Sequence, residues 1–232
     1  MPVGALYMSS DYISPEYNPH SLERDWGFFM RAQHPEIYTE LPNGLGPLRQ
    51  ALLKTVSKQY RSDTCNDTIT DPDQIENDPQ PAKVSTDAVS NSASKMYSEV
   101  GFDVLTLSLL ADVPIHRPLH LTQNSLVGHW RWLRQVWRLM APLSDAAKLH
   151  AHMSPAEVRH DILDALTQGR NNIAIALLRQ SFQEIEDAGA AEWADSHQSF
   201  LANLTLFCPF IGTELLWRQG LITAPKAEGL FE

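Results

Sequence analysis

Six of the nine histidines, His116, His120, His129, His150, His152 and His160, fall within 45 positions of a 232-residue chain. Neutral imidazole is a good donor to first-row transition metals at pH 7. A metal site needs three or four such ligands converging, often with a carboxylate. Glu157 and His160 stand three apart, a spacing that puts both on one face of a helix. The expected ligand set is His129, His152 and His160 around a divalent transition metal (Zn, Fe, Ni or Mn), with Glu157 as general base. His150 and His152 point to opposite sides of a helix, so at most one of them joins. His116 and His120 flank Pro118 and fit a surface loop. The plainer alternative leaves Glu157 as part of a helix cap and His160 at the edge of a hairpin.

The run His129-Trp130-Arg131-Trp132 is the second chemical feature. Indole planes beside a guanidinium can hold a planar anion by stacking and paired hydrogen bonds. Arg131, Arg134 and Trp132 are the expected substrate-binding residues, with Arg131 or Arg134 as the carboxylate anchor. The alternative is a helix with Trp130 and Trp137 in the core, Trp132 half-buried and the arginines solvated. Near the start, His20, Glu23 and Asp25 share one helix and could serve a site completed by later helices, or simply suit the helix dipole. No Gly-rich phosphate loop, nucleophile elbow or His-Glu-x-x-His motif occurs.

Composition narrows the setting. Hydrophobic residues make up 43% and charged residues 20%, which suits a globular domain and not a disordered chain. Two cysteines far apart, Cys65 and Cys208, exclude a cysteine-only zinc module; Cys208, inside an apolar run, reads as a buried thiol. The net charge of -10 leads us to expect no nucleic acid as partner. No apolar stretch reaches the length of a membrane span and the first residues do not resemble a secretory signal, so a soluble cytoplasmic protein without membrane contact is expected.

The elements that must position these groups are helical. Asn18-Pro19 is a cap followed by proline at the first helical position, and Leu22, Trp26, Phe29 and Met30 mark one face up to Pro35. Leu48, Leu52 and Val56 mark a second helix to about Tyr60. From 62 to 94 large hydrophobes nearly vanish and acidic residues accumulate, which predicts a long flexible loop; its acids lack the Gly and closing Glu of an EF-hand. Met96, Val100, Val104, Leu107 and Leu110 predict one buried stripe. Thr122 or Asn124 caps a helix to Met140 with Leu126, Trp130, Leu133, Trp137 and Met140 inward and Arg131, Arg134 and Arg138 on the other side. Ser154-Pro155-Ala156-Glu157 is a capping box, and Gly169 ends the helix it opens. The next helix, from Asn171 or Asn172 to Gly189, is expected to bury Ile173, Ala176, Leu177, Phe182 and Ile185. A helix over 190–206 buries Trp193, His197, Phe200, Leu201 and Leu204, and Pro209 opens a last helix closing at Gly220. The fold class is all-α: a bundle-like domain of about eight helices. The segments are an arm and two helices (1–61), the acidic loop (62–94), a helical core (95–220) and a tail (221–232).

The order His160-Asp161-Ile162-Leu163-Asp164-Ala165-Leu166, then Gly169, then Ala174 and Ala176-Leu177-Leu178-Arg179 resembles the last helical hairpin of the ligand-binding (FCD-type) domain of FadR-type regulators of the GntR superfamily. The resemblance covers about residues 122–190. It implies a helical cavity holding a small organic acid, with a divalent metal bound by one Asp and three His. The first of those histidines falls on His160; the last falls near Gln180 or Ser181, a departure. A second departure is that residues 1–93 lack the family's winged-helix DNA-binding pattern. Three functions follow as expectations: a small-molecule sensor of effector-domain type, a metal-dependent enzyme acting on a small anionic metabolite, or an interaction or inhibitor protein. A homodimer is a modest further expectation.

Overall fold

The computed structural model describes residues 16–64, 82–87, 92–143, 160–189 and 195–222. Among these residues lie ten α-helices: α1 (Pro19–Gln33), α2 (Pro35–Glu40), α3 (Leu45–Thr64), α4 (Ala93–Val100), α5 (Phe102–Leu110), α6 (Gln123–Met140), α7 (His160–Thr167), α8 (Asn171–Asp187), α9 (Asp195–Phe207) and α10 (Pro209–Arg218). The class is all-α, as the periodicity required. Two short strands, β1 (Val84–Thr86) and β2 (Leu119–Leu121), pair in parallel with Ser85 opposite His120.

α5 is the axis of the bundle. All nine of its residues are buried, and α1, α3, α4, α6, α8, α9 and α10 all pack against it. A helix apolar all round must be surrounded to be stable. Two of its three polar residues are satisfied internally or used as ties, while the buried Thr106 hydroxyl has no partner among the described residues. Ser108 Oγ donates to Val104 O at 2.7 Å. Asp103 accepts from the backbone N–H groups of Phe210 (3.2 Å) and Ile211 (2.8 Å), filling the open donors at the start of α10. Burial raises the Asp103 carboxyl to about 7, against the pull of those two N–H groups.

The chain leaves α5 through a loop with two prolines whose carbonyls need donors. Arg49, on the buried side of α3, supplies them. Its Nε donates to Leu109 O (2.8 Å), Nη1 to Ile115 O (3.3 Å) and Arg117 O (3.0 Å), and Nη2 to Val113 O (2.9 Å) and Pro114 O (3.0 Å). All five guanidinium N–H donors are therefore spent on backbone. Desolvation lowers its pKa to about 10, which still leaves it charged at neutral pH. Asn171, also fully buried, donates to the carbonyls of Leu110 and Val113 and accepts from Ile115 N at 3.1 Å. At the far end, Trp26 Nε1 of α1 and Arg218 Nε of α10 both donate to the buried Glu214 carboxylate at 2.7 Å.

Four expectations are corrected. The stripe from Met96 to Leu110 is not one helix: Gly101, at φ +80, ends α4 and starts α5. A side chain there would also meet Pro19 Cβ at 2.5 Å. The helix count rises because of that break and because the chain restarts as α2 after His34. The 62–94 segment is not wholly loop, since Val84–Thr86 finds a partner strand 35 residues on; periodicity cannot announce a pairing of three residues. Finally, α8 buries Ala174, Ile175, Leu178, Phe182 and Ile185, while Ile173 and Ala176 face outward and Leu177 is half-buried. The Asn171 anchor and the packing on α5, α7 and α9 fix the rotation of α8, and short apolar runs do not encode it.

Candidate functional site

α6 is where the chemically interesting residues meet. Thr122 caps it by accepting from Ser125 N at 3.1 Å, and its apolar side, Leu126, Leu133, Val136, Trp137 and Met140, is buried. The two sides of α6 present different chemistry.

On the inner side, His129 is 4% exposed and faces Arg179 of α8. Arg179 Nη2 lies 2.6 Å from His129 Nδ1, and His129 Nε2 lies 3.2 Å from Ser125 Oγ. Ser125 Oγ in turn donates to Asp112 Oδ2 at 3.1 Å. Guanidinium can only donate, so it assigns Nδ1 as the acceptor and places the imidazole proton on Nε2. Desolvation, with the neighbouring Arg179 charge, pushes the His129 pKa down to about 4. The ring is thus neutral at pH 7. Trp132 closes this side: its ring meets Phe182 edge-on at 6.1 Å, and the Arg179 guanidinium carbon lies 5.1 Å from its centroid. The order Asp–Ser–His–Arg differs from that of a hydrolytic triad, in which the histidine stands between the serine and the acid. Here the serine proton already goes to Asp112 and the histidine lone pair to Arg179, so no base is free to activate Ser125.

On the outer side, Arg131 and Arg138 are exposed, seven residues apart and therefore about 10 Å apart along the axis. Neither makes an ion pair or a hydrogen bond with the described residues. Arg134 lies over the Trp130 ring, 5.5 Å from its centroid, and Tyr17 packs against Trp130 and Trp137. Glu186 of α8 borders this face, bonded by Gln135 Nε2 at 2.6 Å. Between Val113 and Ser144 the chain carries four arginines and no Asp or Glu.

The expected substrate residues do not converge. Arg131 points to solvent, Arg134 lies on Trp130, and Trp132 turns inward to Phe182 and Arg179. Of the expected metal ligands, His129 has both nitrogens engaged, His160 is exposed at the start of α7, and His152 lies outside the described residues, as do Glu157 and His150. Among the described residues no group of three His, Cys, Asp or Glu side chains could hold a metal ion. Glu23 accepts from the Tyr97 hydroxyl and pairs with Arg31 at 3.5 Å, while His20 is exposed. His120, expected in a surface loop, lies in β2, where its Nδ1 is 3.0 Å from Ser85 Oγ of the paired strand. Cys208 is fully buried at the α9–α10 junction, and burial pushes its thiol pKa up, so it stays protonated. Cys65 lies outside the described residues. Among the described residues no helix is long and apolar enough to cross a membrane.

The residue sequence reasoning missed is Arg179. Its signal was register: it stands one turn after Ile175 and three residues before Phe182, beside the buried face, where an arginine must have a reason to be.

No family model matches the chain, and no curated protein matches it in sequence. Among solved structures it is similar to a leucyl-tRNA synthetase of Agrobacterium radiobacter, crystallised as a ternary complex with tRNA and LeuAMS. The TM-score is 0.53 at 17% identity, covering 62% of this chain and 23% of that one. The chain thus matches less than a quarter of that protein, and the likeness is one of helical fold. It does not bear on the resemblance to FadR-type effector domains.

Proposed function

We propose that the protein is an RNA-binding helical module that engages phosphates through the outer face of α6. The observation that carries this reading is the pair of exposed arginines Arg131 and Arg138, unpaired among the described residues, within a 32-residue stretch that holds no acid. Phosphate binding draws its affinity from such cations, because each neutralised phosphate releases condensed counterions. Guanidinium also matches phosphate oxygens in paired hydrogen bonds. The net charge of -10 is a poor guide to this face. Seven acids against one lysine between 62 and 94 account for six of the ten net negative charges. The fold likeness to part of a protein crystallised with tRNA agrees with the reading and carries no residue-level weight.

The test is fluorescence anisotropy with labelled bulk tRNA at a series of salt concentrations. The expected result is binding that weakens with salt, with Arg131→Ala/Arg138→Ala lowering affinity at least about tenfold and the log–log salt slope by about 2. Wild-type binding that the double variant leaves unchanged, or no binding at about 100 µM protein and low salt, would refute it. The small-molecule reading of the sequence combined Trp132 with Arg131 or Arg134 as anchor; both arginines lie on the outer side of α6 while Trp132 packs on Phe182 and Arg179, which makes it the weaker reading for those residues.

A further inference from the structure

Four of the described glycines lie inside helices, and three of them have a local reason. A Cβ at Gly212 would meet Thr205 Cα at 2.8 Å. Gly27 is buried in α1, with Glu23 Cγ 3.4 Å from where its Cβ would stand. Gly46 stands in the first turn of α3. Gly128 is the exception. It is the sixth of the 18 residues of α6, past the first turn, and it is exposed. A Cβ there would meet no described atom within 4 Å. Glycine is the weakest helix former after proline, because it gives up the most backbone freedom. Among the described residues, then, α6 carries a destabilising residue that packing does not require. A bare helix position lets another chain approach the backbone closely.

We infer that an RNA strand crosses α6 at Gly128, with its sugar–phosphate backbone laid against the uncovered helix backbone. Asn124, Gly128, Arg131, Gln135 and Arg138 are all exposed and follow at helical spacing, which makes them one strip about 21 Å long. Gly128 lies one turn before Arg131, so a phosphate held by the Arg131 guanidinium brings the adjoining sugar over the glycine. Asn124, one turn further back, offers an amide that can donate to a phosphate or pair with a 2′-hydroxyl. Gln135 is held by Glu186, which sets the edge of the strip. Charge supplies the complementarity, since the stretch from Val113 to Ser144 holds arginines and no acid. The inference rests on the RNA reading and adds to it a contact that is steric and carries no charge.

Gly128→Ala and Gly128→Gln are compared with wild type in the tRNA anisotropy titration over the same salt series, and in thermal unfolding without RNA. Alanine and glutamine are both better helix formers, so both variants should unfold about 1–4 °C higher. Both should bind tRNA more weakly, Gly128→Gln by at least about fivefold, as for a side chain forced into a close contact. Because no charge changes, the log–log salt slope should stay that of wild type, whereas Arg131→Ala/Arg138→Ala lowers it. Glycine variants that bind as wild type does would overturn the crossing at Gly128 and leave the arginine reading standing. A lower Tm in either variant would mean that the chain itself fills the space at Gly128, and would overturn it as well. A wild-type protein that does not bind tRNA would sink both.

Discussion

Replacing Arg49 by lysine tests whether the loop after α5 is held by donor count and not by charge. The ammonium of lysine keeps the positive charge but has three donors at one point, against five spread over a plane. Five carbonyls converge on Arg49, from Leu109, Val113, Pro114, Ile115 and Arg117. Val113 O keeps a bond from Asn171 and Pro114 O one from Arg117 N, so Leu109 O, Ile115 O and Arg117 O are the carbonyls that depend on Arg49. Those three are served from two different nitrogens, Nε and Nη1, so an ammonium at one point leaves at least one without a partner. An orphaned buried acceptor costs about 1–3 kcal/mol, which gives at least about 1–3 kcal/mol for Arg49→Lys and about 3–9 kcal/mol for Arg49→Met, where all three are orphaned. Urea unfolding followed by circular dichroism should therefore show a lower midpoint with unchanged m-value for Arg49→Lys and a larger fall for Arg49→Met. A lysine variant within about 0.5 kcal/mol of wild type would refute the donor-count argument, because that is the scatter of a surface substitution.

Two further outcomes concern the core. The native Asp103 carboxyl titrates near 7 while the unfolded one titrates near 3.9, so between those values the native state holds a proton that the unfolded chain releases. Its contribution to stability is full below about pH 4 and is lost as pH rises through about 7, at most about 4 kcal/mol. Asp103→Asn should flatten the fall in urea midpoint between pH 5 and 8, and parallel pH profiles for variant and wild type would count against the assignment. Gly212→Ala should destabilise by about 1–3 kcal/mol, because a Cβ at Gly212 would sit 2.8 Å from Thr205 Cα and push α10 off α9. An unchanged Tm would mean that the two helices can separate without loss of packing.

The sequence by itself determined which segments are helices and most of where they begin. Asn18 caps α1 through bonds to His20 N and Ser21 N, Thr122 caps α6, Gly169 ends α7, and Pro209 opens α10. These signals are local: a cap, a proline or a positive φ needs only its neighbours. His197, Phe200, Leu201 and Leu204 are buried as their spacing required. The outward placement of Arg131 and Arg138 was legible from the α6 pattern for the same reason. What the sequence could not show is which polar residues are buried, since that depends on segments far apart in the chain. Arg49 meets its acceptors 60 or more residues away, Asp103 reaches α10 across 107, and Trp26 meets Glu214 across 188. For the histidine cluster, adjacency along the chain does not fix placement in space: His120 joined a strand, His160 stayed in solvent and His129 turned inward to Arg179, while His150 and His152 lie outside the described residues. Only the packing of α8 on α6, which neither helix specifies alone, decided that Arg179, Trp132 and His129 would share one place.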